Sequence, residues 1–338
     1  MGWEQNGSRF SLAPLTLGPG PAHHGQLGGV PQWARQGSKM AKAPQFRVAL
    51  LQLPAAQTGQ DRLALAEQAV REAAAKCGPR TLLCVLPELF ASAYFCQTMD
   101  PAGFALAEPI PGPTTQRLGQ LCAELQVALV ASLFECTAPG LYYNTAVVFD
   151  VDGSIAGKYQ KSHIPCDPQY EEKFYFAPGD TGFAAFDTAV ARVGVLICWD
   201  QWYPEAARLT AMQGAEIIVY PTAIGGIDSE PQSEWQRQRE AWQTVQRGHA
   251  IANGVFVATV NRAGREPGPN GGIAFWGHSF CAGPQGEWLA QLGESPETAI
   301  VTCDRERAQE VRQWWPFWRD RRVDLFGPLT QRFGPVAK

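Results

Sequence analysis

Ala191-Arg192-Val193-Gly194-Val195-Leu196-Ile197-Cys198-Trp199-Asp200-Gln201-Trp202-Tyr203-Pro204-Glu205 decides how this chain is read. Its first half is a short β-branched apolar run of the kind a buried strand needs, and Pro204 suits the first turn of a helix. Cys198 stands where the strand stops. A thiol at a strand-to-helix junction lies at a sheet edge close to free backbone N–H groups, a good setting for a nucleophile. A lone cysteine is more often a small buried hydrophobe, so the rest of the chain has to supply its partners.

Working outward, apolar runs predict strands at 47–53, 81–86, 127–134, 182–186, 192–197, 216–220, 255–260, 275–282 and 299–303. Segments 144–150 and 154–159 flank Val151-Asp152-Gly153, a hairpin signal. Periodicity predicts helices over 61–76, where Leu63, Ala66, Ala69, Val70 and Ala73 share a stripe, and over 114–126, 204–213 and 234–252. Helices alternate with strands, but hairpins are mixed in. That pattern excludes a purely parallel doubly wound sheet and predicts two mixed sheets packed face to face with helices outside, within one domain spanning 45–330. Residues 1–44 are Gly/Pro-rich without period and read as a disordered extension or a start-site artefact, with Met40 as an alternative start; 331–338 read as a tail.

The 338 residues are 45% hydrophobic and 18% charged, enough for a sizeable core. A net charge of −4 without a dense Lys/Arg run argues against nucleic acid or an anionic membrane as partner. No apolar stretch reaches the roughly 18 residues of a membrane span. The nine cysteines are odd in number and scattered, with no CxxC pair and no zinc-type spacing. Neither a disulfide framework nor a metal site is expected, and the reducing cytoplasm is the expected compartment.

Two further residues stand at element ends with chemistry that suits a thiol. Glu88 closes an otherwise apolar strand, where desolvation raises a carboxyl's pKa and fits it to shuttle a proton near neutrality. Lys161, just past the hairpin, offers a point charge with three donors for an oxyanion.

Pro87-Glu88-Leu89-Phe90, Tyr159-Gln160-Lys161-Ser162-His163 and Ile197-Cys198-Trp199-Asp200 together resemble the nitrilase (carbon–nitrogen hydrolase) superfamily, over nearly everything from Phe46 to about Phe326. Segments 172–183, 198–208, 220–225, 245–250 and 317–322 are most similar to its N-carbamoylputrescine amidase branch. One departure is Cys166-Asp167-Pro168-Gln169, where the family tends to carry Asp-Gly-Pro-Gly.

The resemblance implies a four-layer αββα sandwich, a homo-oligomer of two or more copies, a Glu88–Lys161–Cys198 triad and no cofactor. It carries a supporting carboxylate onto Glu172, and either Glu172 or Glu88 could be the counter-charge of a buried Lys161. The implied substrate is a small ureido or amide molecule, N-carbamoylputrescine, cleaved to putrescine, carbon dioxide and ammonia in polyamine synthesis. The alternatives are a β-ureidopropionase or N-carbamoyl-amino-acid amidase, and a catalytically silent assembly subunit. The Trp199 N–H is expected to serve as an oxyanion donor. A distal ammonium calls for a carboxylate or an aromatic face, for which Tyr94, Asp200, Asp228 and Glu230 are candidates; a ureido acid would instead call for an arginine, and Arg262 is available. His163 and His249 are expected in structural roles. Trp314, Trp315 and Trp318 are expected at a subunit interface, and 264–272 as a loop bordering the pocket.

Overall fold

The computed structural model describes residues 42–55 and 61–334. Most of the expected N-terminal extension, and 335–338 of the expected tail, lie outside the described residues. The last residues before the first strand depart from expectation, because they are tied down. Lys42 pairs with Glu216 at 3.4 Å, and the Arg305 N–H donates to the Pro44 carbonyl at 3.0 Å.

The first sheet holds β1 (Gln45–Gln52), β2 (Leu82–Val85), β3 (Ala128–Ala138), β4 (Leu141–Phe149), β5 (Ile155–Gln160) and, at its far edge, β15 (Glu297–Asp304). The second holds β6 (Ala185–Asp187), β7 (Arg192–Val195), β8 (Ile217–Pro221), β10 (Phe256–Val260), β13 (Phe280–Ala282) and β14 (Trp288–Gln291). Their orders are β15-β1-β2-β3-β4-β5 and β14-β13-β10-β8-β7-β6. Each has a parallel centre, β1-β2-β3 in one and β10-β8-β7 in the other, with antiparallel strands on both flanks.

Strand alternation builds the layers. Val48, Leu50, Leu83, Val85, Val130 and Val148 face inward and share one core with Val193, Val195, Ile217 and Val219 of the other sheet. The intervening Ala49, Leu51, Leu82, Cys84, Leu129 and Phe149 face outward, onto α1 (Arg62–Ala74) and α2 (Pro113–Leu125) through Ala66, Val70, Ala73, Leu118 and Leu121. Each such Val or Leu contributes roughly 1.5–3 kcal/mol by leaving water. On the other side, Ala206, Ala207 and Ala211 of α4 (Pro204–Met212) and Ala250 of α5 (Gln232–Asn253) join the same core as the second sheet. The short α3 (Glu172–Tyr175) and α6 (Arg305–Trp314) are the remaining α-helices among the described residues. The chain is therefore a mixed α/β fold of two mixed sheets flanked by helices.

Two expectations are corrected. The single strand expected over 275–282 is broken at Gly277 and His278, whose φ values of 63° and 50° turn the chain. Its halves enter different sheets: β12 (Ile273–Trp276) pairs with β9 (Gly225–Ile227) and β11 (Ala263–Glu266), and β13 joins the second large sheet. The loop expected over 264–272 opens as strand β11, and only a 3₁₀ turn at Pro269–Gly271 separates it from β12. High Gly content marked the turn but hid the strand beside it.

Candidate active site

Glu88, Lys161 and Cys198 follow the C-terminal ends of β2, β5 and β7, the end of an α/β sheet where ligands gather. Both large sheets contribute: Glu88 and Lys161, from the first, are in contact, and Cys198, from the second, lies near enough to feel both charges.

Two of these three carboxyl-end turns are sharp. Cys198 has φ 41° and Leu89 has φ 48°, left-handed values that a side chain adopts only when its surroundings enforce them. At Cys198 the enforcing group is Asp200, fully buried. Its Oδ2 accepts from the Ile197 N–H at 3.0 Å and the Tyr159 hydroxyl at 2.8 Å, and its Oδ1 accepts from the His163 N–H at 3.0 Å and from the His163 ring at 2.7 Å. Behind Glu88, the Leu89 N–H donates to Ser132 Oγ at 3.1 Å, and Ser132 in turn donates to Asn144 Oδ1 at 2.8 Å.

Lys161 is wholly buried, and both candidate counter-charges hold it: Nζ lies 2.7 Å from Glu88 Oε1 and 2.6 Å from Glu172 Oε2. Asn144 Nδ2 donates to the same Glu88 oxygen at 2.7 Å, and the Tyr94 hydroxyl donates to Glu172 Oε1 at 2.7 Å. Glu88 Oε2 has no hydrogen-bond partner among the described residues. Burial works against the Lys161 ammonium, but the two carboxylates outweigh it and hold its pKa well above the ordinary value. Burial pushes the Glu172 carboxyl up to about 7, with the Lys161 charge opposing. Burial also pushes the Cys198 thiol well up; the Glu88 charge adds to this and Lys161 opposes it.

A thiol with a raised pKa is neutral at pH 7 and needs a base to become a nucleophile. An unpartnered carboxylate oxygen and a permanent ammonium beside it are the groups such a step requires.

Cys198 opens onto a cavity of about 480 Å³. Its walls carry Tyr170, Trp199 and Trp202 as aromatic faces and Asp167, Glu172 and Glu230 as carboxyl groups, with no lysine or arginine among the lining residues. The divergent loop contributes Asp167 and Pro168, beside Pro165 just before it. A larger cavity of about 690 Å³, lined by Trp235, Arg239, Arg265 and Trp276, contains none of the three residues. Among the described residues, no group of three or more His, Cys, Asp or Glu is placed to hold a metal ion.

The pocket candidates divide. Glu230 and Trp199 line the cavity. Tyr94 is spent on Glu172, and Asp200 is the anchor beneath the nucleophile turn. Asp228 pairs with Arg265 at the surface at 2.8 Å. Arg262 is buried against the backbone that follows Glu88. His163 stacks on Tyr203 with ring centroids 3.6 Å apart, and His249 Nε2–H donates to the Gln201 carbonyl at 2.8 Å. Residues 264–272 supply nothing to the Cys198 cavity; Gly264 and Arg265 line the larger one.

Sequence reasoning missed Ser132 and Asn144. The available signal was a polar side chain inside an apolar strand, which must find a partner when buried. Tyr170 was also missed; its hydroxyl is bound in the wall between the Gly225 N–H and carbonyl, at 2.9 and 3.0 Å.

Residues 47–313 match the family described as carbon-nitrogen hydrolase. Over 288 residues the chain is 45% identical to the N-carbamoylputrescine amidase of Solanum lycopersicum, covering 83% of this chain and 94% of that protein. It is 38% identical over 290 residues to the citrullinase of Francisella tularensis subsp. tularensis, covering 85% of this chain and 99% of that one. In structure it is similar to a carbon-nitrogen hydrolase from Helicobacter pylori G27, with a TM-score of 0.82 and 46% identity, covering 86% of this chain and 99% of that chain.

Proposed function

The chain belongs to the carbon–nitrogen hydrolase family, and from that membership we propose that it hydrolyses N-carbamoylputrescine to putrescine, carbon dioxide and ammonia. The observation that carries this choice of substrate is the cavity wall, which is acidic and aromatic without a guanidinium or ammonium. A carbamoylated diamine brings a distal ammonium that such a wall attracts, with Glu230 as its partner and the indoles as its faces. A ureido acid brings a carboxylate that the same wall repels, and Arg262 is committed to backbone carbonyls.

In this reading Glu88 Oε2 takes the thiol proton as Cys198 Sγ attacks the ureido carbonyl carbon. The oxyanion is held by the Lys161 ammonium and the Trp199 N–H; one such donor is typically worth roughly 3–4 kcal/mol. Ammonia departs with the proton that Glu88 returns, leaving a thiocarbamate on Cys198. Water, deprotonated by Glu88, then attacks that carbonyl. The thiol regains its proton, and the released carbamate breaks down to carbon dioxide and putrescine. Glu172 steadies Lys161 throughout. No step calls on a cofactor.

Exposed Trp314 and Trp315, at 82% and 52%, support a face for a second copy of this chain. Trp318 instead folds back, its Nε1–H on the Asn253 carbonyl at 3.0 Å. All nine cysteines are free thiols, in keeping with the cytoplasm as compartment. No helix among the described residues is long and apolar enough to cross a membrane.

Ammonia release from N-carbamoylputrescine, N-carbamoyl-β-alanine and citrulline tests the substrate assignment. The expected order puts the diamine derivative first by at least about 10-fold in kcat/KM, one pocket ion contact being worth about 1–3 kcal/mol. A preference for either ureido acid overturns it. Cys198→Ala should release no ammonia and trap no covalent adduct, and an active variant would overturn the mechanism.

A further inference from the structure

The segment that follows β2 carries two of the groups around Lys161: Glu88 directly, and Tyr94, which binds Glu172. Its backbone turns away from the sheet at Leu89, and that turn leaves carbonyl groups without strand partners. Arg62 Nε donates to the Phe90 carbonyl at 3.3 Å, and one other side chain takes three more. Arg262 Nη2 donates to the Glu88 carbonyl at 2.7 Å and the Leu89 carbonyl at 3.0 Å, and Nη1 donates to the Ser92 carbonyl at 3.3 Å. The same Nη1 lies 2.5 Å from Glu266 Oε1, while Glu266 Oε2 accepts from the Tyr94 N–H at 2.6 Å. Arg262 is 0% and Glu266 1% exposed. The guanidinium also lies 5.3 Å from the Phe275 ring centroid and 6.0 Å from that of Tyr94.

A buried ion pair is rarely the cheapest way to stabilise a core, since apolar residues of similar volume often do as well or better. What this pair supplies instead is geometry. A planar fork fixes several carbonyls at once, which a lysine point charge cannot do. We propose that Arg262, with Glu266, is a positioning residue pair that sets the Glu88 carboxylate against the Cys198 thiol and Tyr94 against Glu172. The inference rests on the reading of Glu88 as the base.

Arg262→Lys keeps the charge and loses the fork. Its expected effect is a fall in kcat of about 30- to 100-fold with KM within about threefold, the penalty of a base misplaced by about an ångström. The rate at which iodoacetamide modifies Cys198, read by peptide mass, should fall in parallel, because that reaction too needs the thiol proton removed. A folded Arg262→Lys with wild-type kcat overturns the proposal, and so does a loss of turnover with alkylation unchanged. If Arg262→Lys does not fold, Glu266→Gln decides: a several-fold loss of kcat at constant KM supports the proposal, and an unchanged kcat overturns it. Glu88→Gln, measured alongside, separates the two readings. An active Glu88→Gln refutes Glu88 as base, whereas an inactive Glu88→Gln beside a fully active Arg262→Lys refutes only the positioning role.

Discussion

The turn that carries Glu88 and the turn that carries Cys198 solve one problem with opposite charges. Both leave the end of a parallel strand, and both bend the chain through a left-handed residue that is not glycine. After Glu88 a buried guanidinium gathers the carbonyls of Glu88, Leu89 and Ser92. Around Cys198 the groups left over are N–H donors, and a buried carboxylate gathers those. The anchor's sign follows the backbone group to be satisfied, because a buried polar group without a partner costs about 1–3 kcal/mol. Neither anchor faces the cavity. A search for charged residues near the chemistry therefore mistakes both Asp200 and Arg262 for substrate ligands.

The sharpest way to break this comparison is Asp200→Asn. One carboxylate oxygen becomes an NH₂ group aimed at donors that it cannot satisfy. The expected loss is about 3 kcal/mol of stability, with turnover down about 100-fold from a displaced thiol. Urea unfolding and steady-state ammonia release measure the two, and an unfolding free energy near wild type would show that the turn holds itself.

A smaller, pH-dependent effect should come from Glu172, which stands between the two turns. Its carboxyl titrates at about 7 in the fold, against an ordinary 4.5. Between those values the folded state keeps a proton that the unfolded chain has lost, so this group's contribution to stability falls as pH rises through that window. The Tm of the wild type measured against Glu172→Gln should therefore decline from about pH 4.5 to about pH 7 and level off on either side. A constant difference would place the carboxyl back at its ordinary value.

Asp228→Ala should do least. Its partner is exposed Arg265, and a surface pair contributes about 0–1 kcal/mol. Calorimetry should show almost no change, and KM for N-carbamoylputrescine should stay within about twofold. A clear rise in KM would return Asp228 to the substrate and weaken the distinction between cavity carboxylates and anchors.

Much of the fold was legible along the chain because apolar period reports burial directly. The helix expected over 61–76 is Arg62–Ala74 capped by Asp61, and that expected over 114–126 is Pro113–Leu125. The mixed sheets followed from hairpins interleaved with helices. The break at Gly277–His278 escaped notice because both of its flanks are equally apolar, and sheet membership is not written in hydrophobicity. At the site, Glu88 and Cys198 stood out because each ends a run whose other members are apolar, whereas Lys161, just past a hairpin with polar neighbours, stood out through the Tyr159-Gln160-Lys161-Ser162-His163 motif. Asn144 and Ser132 stayed hidden because their meaning depends on what lies across the strand pair.

By itself the sequence determined which segments are buried, where strands give way to turns, and which reactive side chains stand at those ends, since these depend on local period and residue chemistry. Only the tertiary structure decided which charges meet. Lys161 lies between two carboxylates, Asp200 and Arg262 are turned onto backbone, and Glu230 is left on the cavity wall. Electrostatic partnership depends on distances of a few ångströms between residues far apart in the chain, and folding alone sets those distances.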